Sequence, residues 1–314
     1  MKRRSFLAAA ALPAANGGAA VRAKFPIAGR QTYLNAAGLH PISTASARAM
    51  EDYIAFRLHG RGVAYREQTT QDVRALYARL IHAEPDEIAI VPGTQAGENL
   101  VALGLGLHRG QGNVVTDELH FHGSLYLYRS LEQFGLEVRI VKQREWRIAM
   151  RDVERAVDRN TKLIAVSHVS NINGFVHDAK ALSELAHAHG AYLYLDAIQS
   201  VGCMPFDVRA LGVDFCCAGT YKWLMGVSGM GYLFVRRELQ QRVLAQMQFG
   251  DRQYGAFAYH NLPGSPEGAR PFSWDALANA RRYEIGHMPE IAIACQREAL
   301  RFLLDAGPAA VADH

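Results

Sequence analysis

Lys222 has the neighbours expected of a lysine that reacts with a carbonyl group. It lies between Tyr221 and Trp223 in the weakly charged stretch 219–224. Apolar neighbours disfavour an ammonium ion and lower its pKa, and Schiff-base chemistry requires the neutral amine that results. The alternative interpretation is a lysine with a buried stem and a solvated head.

Asp196 is the second residue that could do chemistry. It ends the apolar run 191–195, so its carboxylate is predicted at the tip of a buried strand. An acid at such a place binds a metal, caps a helix or pairs with a cation. These three interpretations stay open on the residue types alone.

A possible phosphate-binding turn lies earlier in the chain. Gly93, Thr94 and Gln95 follow the apolar run 87–91 and open a predicted helix. The free N–H groups of a helix N-terminus, together with a threonine hydroxyl, suit a phosphate. The motif is weak by itself because many strand–helix turns contain Gly-Thr.

Two further strand ends carry aromatic or polar residues. Phe121 lies between His120 and His122 after the second predicted strand, and the simplest interpretation is two surface histidines around a buried ring. Asn171 follows the fourth predicted strand, where asparagine is most often a turn residue.

The elements that must position these residues alternate between strand and helix. Short apolar runs alternate with helical patterns from residue 85 onward, which predicts an α/β fold with a largely parallel sheet. In such a sheet, ligands bind at the carboxyl ends of the strands. The predicted strands are 87–91, 113–116, 137–141, 162–166, 191–195, 213–218 and 231–235, and the predicted helices are 95–107, 123–133, 152–157 and 179–189.

Composition and charge exclude several classes of protein. The 314 residues are 49% hydrophobic and 20% charged, which is the composition of a globular protein. A net charge of +4 without a long basic run does not indicate nucleic acid, and no apolar run is long enough to span a membrane. The four cysteines form no CxxC pair and no His/Cys ligand spacing, so we expect neither a zinc site nor a disulfide framework. The glycines of 226–231 precede a strand, which disfavours a dinucleotide-binding oxidoreductase.

The N-terminus has the layout of an export signal. Arg3 and Arg4 are followed by Ser-Phe-Leu, a short Ala-rich apolar run and small residues, with possible cleavage after Ala20 or Ala23. Paired arginines in this context are typical of the twin-arginine signal, which exports folded proteins. We therefore expect residues 1–23 to be a signal and the protein to be periplasmic or exported. The alternative is a frayed tail on a cytoplasmic protein.

One cofactor explains these residues together. Pyridoxal 5′-phosphate needs a lysine for its aldehyde and an acid for its ring nitrogen. It also needs a ring to stack on, donors for its phenolic oxygen and a phosphate-binding turn. Lys222, Asp196 and the turn at Gly93 are candidates for three of these requirements.

The order of the motifs resembles the class V aminotransferases among the fold-type I pyridoxal-phosphate enzymes. Ser-His-Val-Ser-Asn at 167–171, Asp-Ala-Ile-Gln at 196–199 and Gly-Thr-Tyr-Lys-Trp-Leu at 219–224 carry the resemblance, which runs from about residue 33 to 284. The chain is similar to the isopenicillin N epimerase, cysteine desulfurase and kynureninase branches. The resemblance implies an amino-acid substrate and a homodimer, and neither nucleic acid nor a membrane as a partner after signal cleavage.

The resemblance also assigns a role to each candidate catalytic residue. Lys222 matches the Schiff-base lysine, which is the general base at Cα once it is released. Asp196 matches the acid that keeps the pyridine nitrogen protonated. Phe121 matches the stacking ring. Asn171 and Gln199 match the partners of the phenolic oxygen.

The phosphate contacts are implied in the same way. The turn of Gly93, Thr94 and Gln95 matches the family's phosphate turn. Thr220 and Tyr221 lie where the family adds further phosphate contacts. No metal site is implied.

The resemblance further implies a domain organisation. A three-layer large domain with a mainly parallel sheet is expected over 24–270, with an N-terminal arm at 24–45, and an incomplete small domain over 271–314. The family's small domain usually supplies the arginine that grips the substrate carboxylate, and no residue here matches it. Transamination, epimerisation and cleavage therefore stay open. So does the alternative of a truncated, inactive member that binds the cofactor or keeps only the scaffold.

Overall fold

Seven strands form one sheet in the part of the chain that the computed structural model describes, residues 18–60, 67–240 and 278–313. Their order across the sheet is β1-β7-β6-β5-β4-β2-β3. β7 runs antiparallel to both of its neighbours, and the other pairs are parallel. The strands are β1 Ile88–Val91, β2 Asn113–Asp117, β3 Glu137–Val141, β4 Thr161–Ser167, β5 Tyr192–Asp196, β6 Phe215–Gly219 and β7 Gly231–Val235.

Helices cover both faces of this sheet. They are α1 Gly18–Ala23, α2 Thr44–His59, α3 Glu67–Leu80, α4 Thr94–Gly104, α5 His122–Leu131, α6 Met150–Ala156, α7 Ala179–Ala188, α8 Arg237–Gln240, α9 Glu290–Ala306 and α10 Pro308–Asp313. No helix among the described residues is long and apolar enough to cross a bilayer. Together the sheet and its two helical layers form the expected three-layer α/β fold.

Side chains that alternate between the two faces of the sheet form two hydrophobic cores. In β5, Leu193 and Leu195 pack in a core with α3, α7 and α9, whereas Tyr194 packs in a second core with α4 and α5. Successive side chains of a strand point to opposite faces, so a strand covered on both faces is apolar throughout. This is why the predicted strands appear in the sequence as continuous apolar runs.

The predicted elements agree with the structure apart from their ends. The sixth strand begins at Phe215 and not at residue 213, because the Val213 N–H closes a turn onto the Val208 carbonyl. The helix predicted over 95–107 ends at Gly104, and a 3-10 turn, Leu107–Arg109, follows it. Residues 1–17 of the predicted signal and the predicted domain boundary at 270/271 lie outside the described residues, so both stay predictions.

The sheet topology brings the candidate residues to one edge. Asp196 ends β5, and Ser167, which ends β4, lies beside it in register. Gly219 ends β6 and lies opposite Gly231, where β7 begins. β1 ends at the same edge, just before Gly93, so residues far apart in sequence become neighbours there.

Candidate active site

Asp196 is a buried acid at the centre of this edge, with 3% of its surface exposed. Its backbone is held between β4 and β6, and its Oδ1 accepts a hydrogen bond from the Ile198 N–H at 3.0 Å. Burial raises the pKa of Asp196 to about 6, although His120 and Lys222 oppose that shift. A buried carboxylate held this way is suited to a cation such as a protonated ring nitrogen.

Lys222 lies in the turn that follows β6 and is half-buried. Burial lowers its pKa, while the charge of Asp196 acts in the opposite direction. The turn is held by hydrogen bonds from the Met225 N–H to the Lys222 carbonyl and from the Gly226 N–H to the Thr220 carbonyl. A fixed amine with a lowered pKa is what an attack on an aldehyde requires.

The N-terminus of α4 provides the expected place for a phosphate. The first helical hydrogen bond runs from the Gly97 N–H to the Gly93 carbonyl, so the earlier N–H groups of the first turn have no carbonyl within the helix. Thr94 Oγ1 accepts from the Gly219 N–H at 2.9 Å, which leaves its own hydrogen available for an anion. Gly231 approaches so closely that a Cβ there would lie 3.1 Å from Gly93 Cα. Compact backbone and free donors fit a phosphate group.

Phe121 lies beside this turn, at the start of α5, and is half-buried. Its N–H donates to Ser167 Oγ at 3.3 Å, which ties it to the strand beside Asp196. A Cβ at Gly123 would lie 2.8 Å from Phe121 Cε1 and 2.1 Å from Gln95 Nε2. Glycine at 123 therefore allows the Phe121 ring and the Gln95 amide to lie together over the start of α5.

Gln199 has an amide whose orientation is fixed by its partners. The indole N–H of Trp223 donates to Gln199 Oε1 at 2.8 Å, and Gln199 Nε2 donates to the Ala37 carbonyl at 3.1 Å. An indole N–H can only donate, so the amide oxygen must face Trp223. One amide hydrogen is left for another acceptor, which fits the predicted contact with a phenolic oxygen.

The N-terminal arm is part of this edge. Besides the contact between Ala37 and Gln199, the His40 N–H donates to the Tyr221 carbonyl at 2.9 Å. The sequence analysis assigned no site role to the arm or to Trp223. The aromatic residue directly after Lys222 was the available signal for Trp223.

Three predicted contacts have less support from the geometry. Asn171 is exposed in a turn, and no hydrogen bond connects its side chain to the described residues. Thr220 donates its N–H to the Met230 carbonyl and its hydroxyl to the Val227 carbonyl, so both of its donors face the loop 226–230. Tyr221 is half-buried, and burial raises its pKa. Their roles toward a cofactor stay predictions.

The interpretation of residues 120–122 as surface histidines around a buried ring is wrong for His120. His120 has 1% of its surface exposed, Phe121 is half-buried, and only His122 is exposed. His120 Nε2 lies 3.2 Å from Glu98 Oε1, and the Tyr128 hydroxyl donates to the same oxygen at 2.8 Å. The sequence analysis did not identify Glu98, because its position on the inward face of α4 is visible only in the fold.

A metal ligand was one of the three interpretations left open for Asp196. Within residues 18–60, 67–240 and 278–313, no group of three or more His, Cys, Asp or Glu side chains could hold a metal ion.

Comparison with known proteins places this chain in a family. The model of the family described as "Aminotransferase class-V" matches residues 50–314. A probable cysteine desulfurase of Methanothermobacter thermautotrophicus is 34% identical over 229 residues, which is 70% of this chain but 56% of that protein. The uncharacterised aminotransferase YcbU of Bacillus subtilis is 29% identical over 93% of this chain and 75% of that protein. The chain thus spans little more than half the length of the first of these relatives.

Solved structures agree with this assignment. The apo cysteine desulfurase of Thermococcus onnurineus is similar with a TM-score of 0.74 and 26% identity, covering 91% of this chain and 70% of that one. A cystine C-S lyase in complex with cysteine persulfide has the same fold with a TM-score of 0.78 at 19% identity, covering 91% and 75%. The chain belongs to the class-V aminotransferase family, with a fold-type I architecture and pyridoxal 5′-phosphate as its cofactor.

Proposed function

We propose that this chain is a pyridoxal-phosphate-dependent enzyme that acts at the Cα atom of an amino-acid substrate, with Lys222 and Asp196 as its catalytic residues. The observation that carries the proposal is the meeting of a buried acid, an amine of lowered pKa and a helix N-terminus at one edge of the sheet. When bound, pyridoxal phosphate condenses with amino groups and withdraws electrons from a bond at Cα.

Residues of this chain would bind the cofactor and move the proton at Cα. Asp196 would keep a proton on the ring nitrogen. The first turn of α4 and Thr94 would bind the phosphate. Phe121 would pack against the ring, and the free amide hydrogen of Gln199 would reach the phenolic oxygen. Lys222, with its lowered pKa, would take up and return the proton at Cα.

Borohydride reduction tests the proposal directly. Reduced protein should carry a pyridoxyl group on the peptide that contains Lys222, as detected by mass spectrometry. Lys222→Ala should lose the label, whereas Lys162→Ala, which changes an exposed lysine, should keep it. Labelled wild-type protein without a modified Lys222 would overturn the assignment.

Cleavage of a carbon–sulfur bond is a second candidate, supported by the similarity to cysteine desulfurases. None of the four cysteines suits the role of a sulfur-accepting thiolate. Burial raises the pKa of Cys203 and of Cys295 to about 11. Cys216 and Cys217 are fully buried. We therefore expect sulfur to leave as free sulfide, with cysteine and water giving pyruvate, ammonia and hydrogen sulfide.

Substrate assays separate these candidates. Cα hydrogen exchange in deuterated water, measured by NMR with cysteine, alanine and aspartate, reports proton removal whatever step follows. Sulfide and pyruvate formed from cysteine in equal amounts would establish cleavage. Exchange without sulfide would favour transamination or epimerisation. Labelled Lys222 without exchange on any amino acid would favour the inactive alternative.

The oligomeric state belongs to the proposal as well. We expect a homodimer, which light scattering coupled to gel filtration would measure on the purified full chain. A monomeric holoenzyme would remove the dimer from the proposal and leave the chemistry unaffected.

A further inference from the structure

A buried polar cluster lies next to Asp196 and the backbone of Phe121. Glu98 of α4 accepts hydrogen bonds from Ser124 Oγ at 2.5 Å and from the Tyr128 hydroxyl at 2.8 Å, both on α5. Its third neighbour is His120 Nε2 at 3.2 Å. The two hydroxyls donate to this carboxyl group, and a His120 ring protonated at Nε2 would be a third donor, which suits an ionised carboxylate because it only accepts hydrogen bonds. Burial, together with Glu98, raises the pKa of Tyr128, so that hydroxyl remains a donor.

His120 is the side chain that could carry a positive charge in contact with that carboxylate. Its second nitrogen, Nδ1, lies 2.8 Å from Ser167 Oγ. Burial by itself lowers the pKa of His120, but the hydrogen bond and charge of Glu98, followed by the charges of Asp196 and Asp117, more than offset burial and leave that pKa above its usual value. Buried ions are tolerated when they are paired and hydrogen-bonded, as a His120 imidazolium and a Glu98 carboxylate would be at this distance.

The groups that face His120 come from every element packed around it. Glu98 comes from α4, Asp117 from β2, Ser167 from β4 and Asp196 from β5, while Ser124 and Tyr128 of α5 hold Glu98. Asp117 has its own partner, because His177 Nε2 lies 3.1 Å from Asp117 Oδ2. The acids that share the charge of His120 are therefore mainly Glu98 and Asp196.

This cluster is connected to the predicted cofactor site by two routes. The first is electrostatic: the charge of His120 lowers the pKa of Asp196, and the charge of Glu98 raises it. Ser167 Oγ accepts from the Phe121 N–H, so the partner of His120 also holds the backbone of the predicted stacking residue. The cluster thus bears on the charge of the acid and on the position of the ring.

We infer that His120, held by Glu98, is a positioning residue of this active site: it supplies the positive charge that faces Asp196 and, through Ser167, fixes the backbone of Phe121. The inference rests on the proposed function, because Asp196 needs to be ionised only if it holds a protonated ring nitrogen. His120 itself touches neither cofactor nor substrate in this assignment.

A single variant that removes the charge of His120, and a double variant that also removes the charge of Glu98, test the inference. His120→Gln leaves the Glu98 charge uncompensated near Asp196. The midpoint of the pH dependence of cofactor affinity should therefore rise by about one pH unit. At a fixed pH below that midpoint, this corresponds to about tenfold weaker binding. The double variant His120→Gln with Glu98→Gln removes both charges and should return the midpoint close to that of wild type. The measurement is equilibrium dialysis of the cofactor across pH 5–8.

Asp196→Asn is the reference for this titration, since it should remove the part of the pH dependence that belongs to the acid. If His120 carries no charge and acts only as packing, His120→Gln will keep the wild-type midpoint, and the inference is wrong. If the cofactor does not label Lys222 in wild type, the proposed function fails first, so the two failures are distinguishable.

A second measurement does not depend on any variant folding. Long-range proton–nitrogen correlation spectra of wild-type holoenzyme, with His120 assigned, report whether both ring nitrogens carry hydrogen. We expect a doubly protonated ring at pH 7. A neutral His120 ring at that pH would overturn the inference.

Discussion

Trp223 fixes the direction in which Gln199 faces, through a hydrogen bond of 2.8 Å from its indole N–H to the Gln199 amide oxygen. The opposite side of the amide donates to the Ala37 carbonyl in the N-terminal arm. Trp223, the residue after Lys222, therefore orients the amide that is predicted to reach the cofactor, and the same amide joins the N-terminal arm to the candidate site.

Trp223→Phe should weaken cofactor binding while leaving the fold intact. The variant keeps an aromatic ring but loses the donor that orients Gln199, and one such hydrogen bond is worth about 1 kcal/mol, or about fivefold in affinity. Equilibrium dialysis of the cofactor measures the change. Trp146→Phe is the matched control, because that indole is 62% exposed and lies away from Lys222 in the sequence. Equal affinities for the two variants would argue against the role of Trp223.

Asp196→Asn should stabilise the cofactor-free protein at neutral pH. Burial raises the pKa of Asp196 to about 6 in the folded state from its usual value of 3.8, so the folded protein binds this proton more tightly than the unfolded chain. Asp196 is therefore neutral below pH 4, where it does not lower the free energy of unfolding. The destabilisation develops as the pH rises from 4 to 6 and is complete above that range. A shift of this size corresponds to about 3 kcal/mol above pH 7.

Urea unfolding of both cofactor-free proteins at pH 5 and pH 7.5 measures this effect. The difference in unfolding free energy between Asp196→Asn and wild type should grow with pH. The same variant should lose Cα hydrogen exchange by orders of magnitude in the presence of cofactor. A variant that is less stable at pH 7.5, or that exchanges at the wild-type rate, would remove Asp196 from this role.

Gly123→Ala should disturb the predicted ring site. The added methyl group would lie 2.1 Å from Gln95 Nε2, which can swing away, and 2.8 Å from Phe121 Cε1, which belongs to a rigid ring. We expect weaker cofactor binding and an altered absorption spectrum with little loss of thermal stability. The double variant Gln95→Ala with Gly123→Ala should recover only part of the affinity, because the ring contact remains. Full recovery would mean that Gln95 and not Phe121 carries the effect.

Export of a folded, cofactor-loaded protein is the expectation for the N-terminal segment. Arg3 and Arg4 precede a short Ala-rich apolar run, the arrangement that is typical of signals for folded cargo. Cells that express the full chain should contain periplasmic holoenzyme, and replacing Arg3→Lys together with Arg4→Lys should abolish its export. Cytoplasmic protein with an uncleaved N-terminus would return residues 1–23 to the frayed-tail interpretation.

Local sequence patterns were enough to predict the strands and the residues at their ends. Apolar runs such as 162–166 and 231–235 predict buried strands because a strand covered on both faces has no polar side. Lys222, Asp196 and the turn at Gly93 could be identified because each lies directly beside such a run. The placement of these residues at one sheet edge follows from the parallel alternation of strands and helices.

The tertiary structure alone decided which polar side chains share the interior. Glu98 and His120 are 22 positions apart, and Gln199 and Ala37 are 162 positions apart, so no local pattern connects them. His120 was predicted at the surface because histidine beside a strand end is usually solvated, yet the packing of α4 and α5 against the sheet buries it. The sequence by itself determined the fold class and the candidate residues at the strand ends, because both depend on local patterns. The hydrogen bonds and charges around those candidates depend on packing between distant segments, which only the tertiary structure decided.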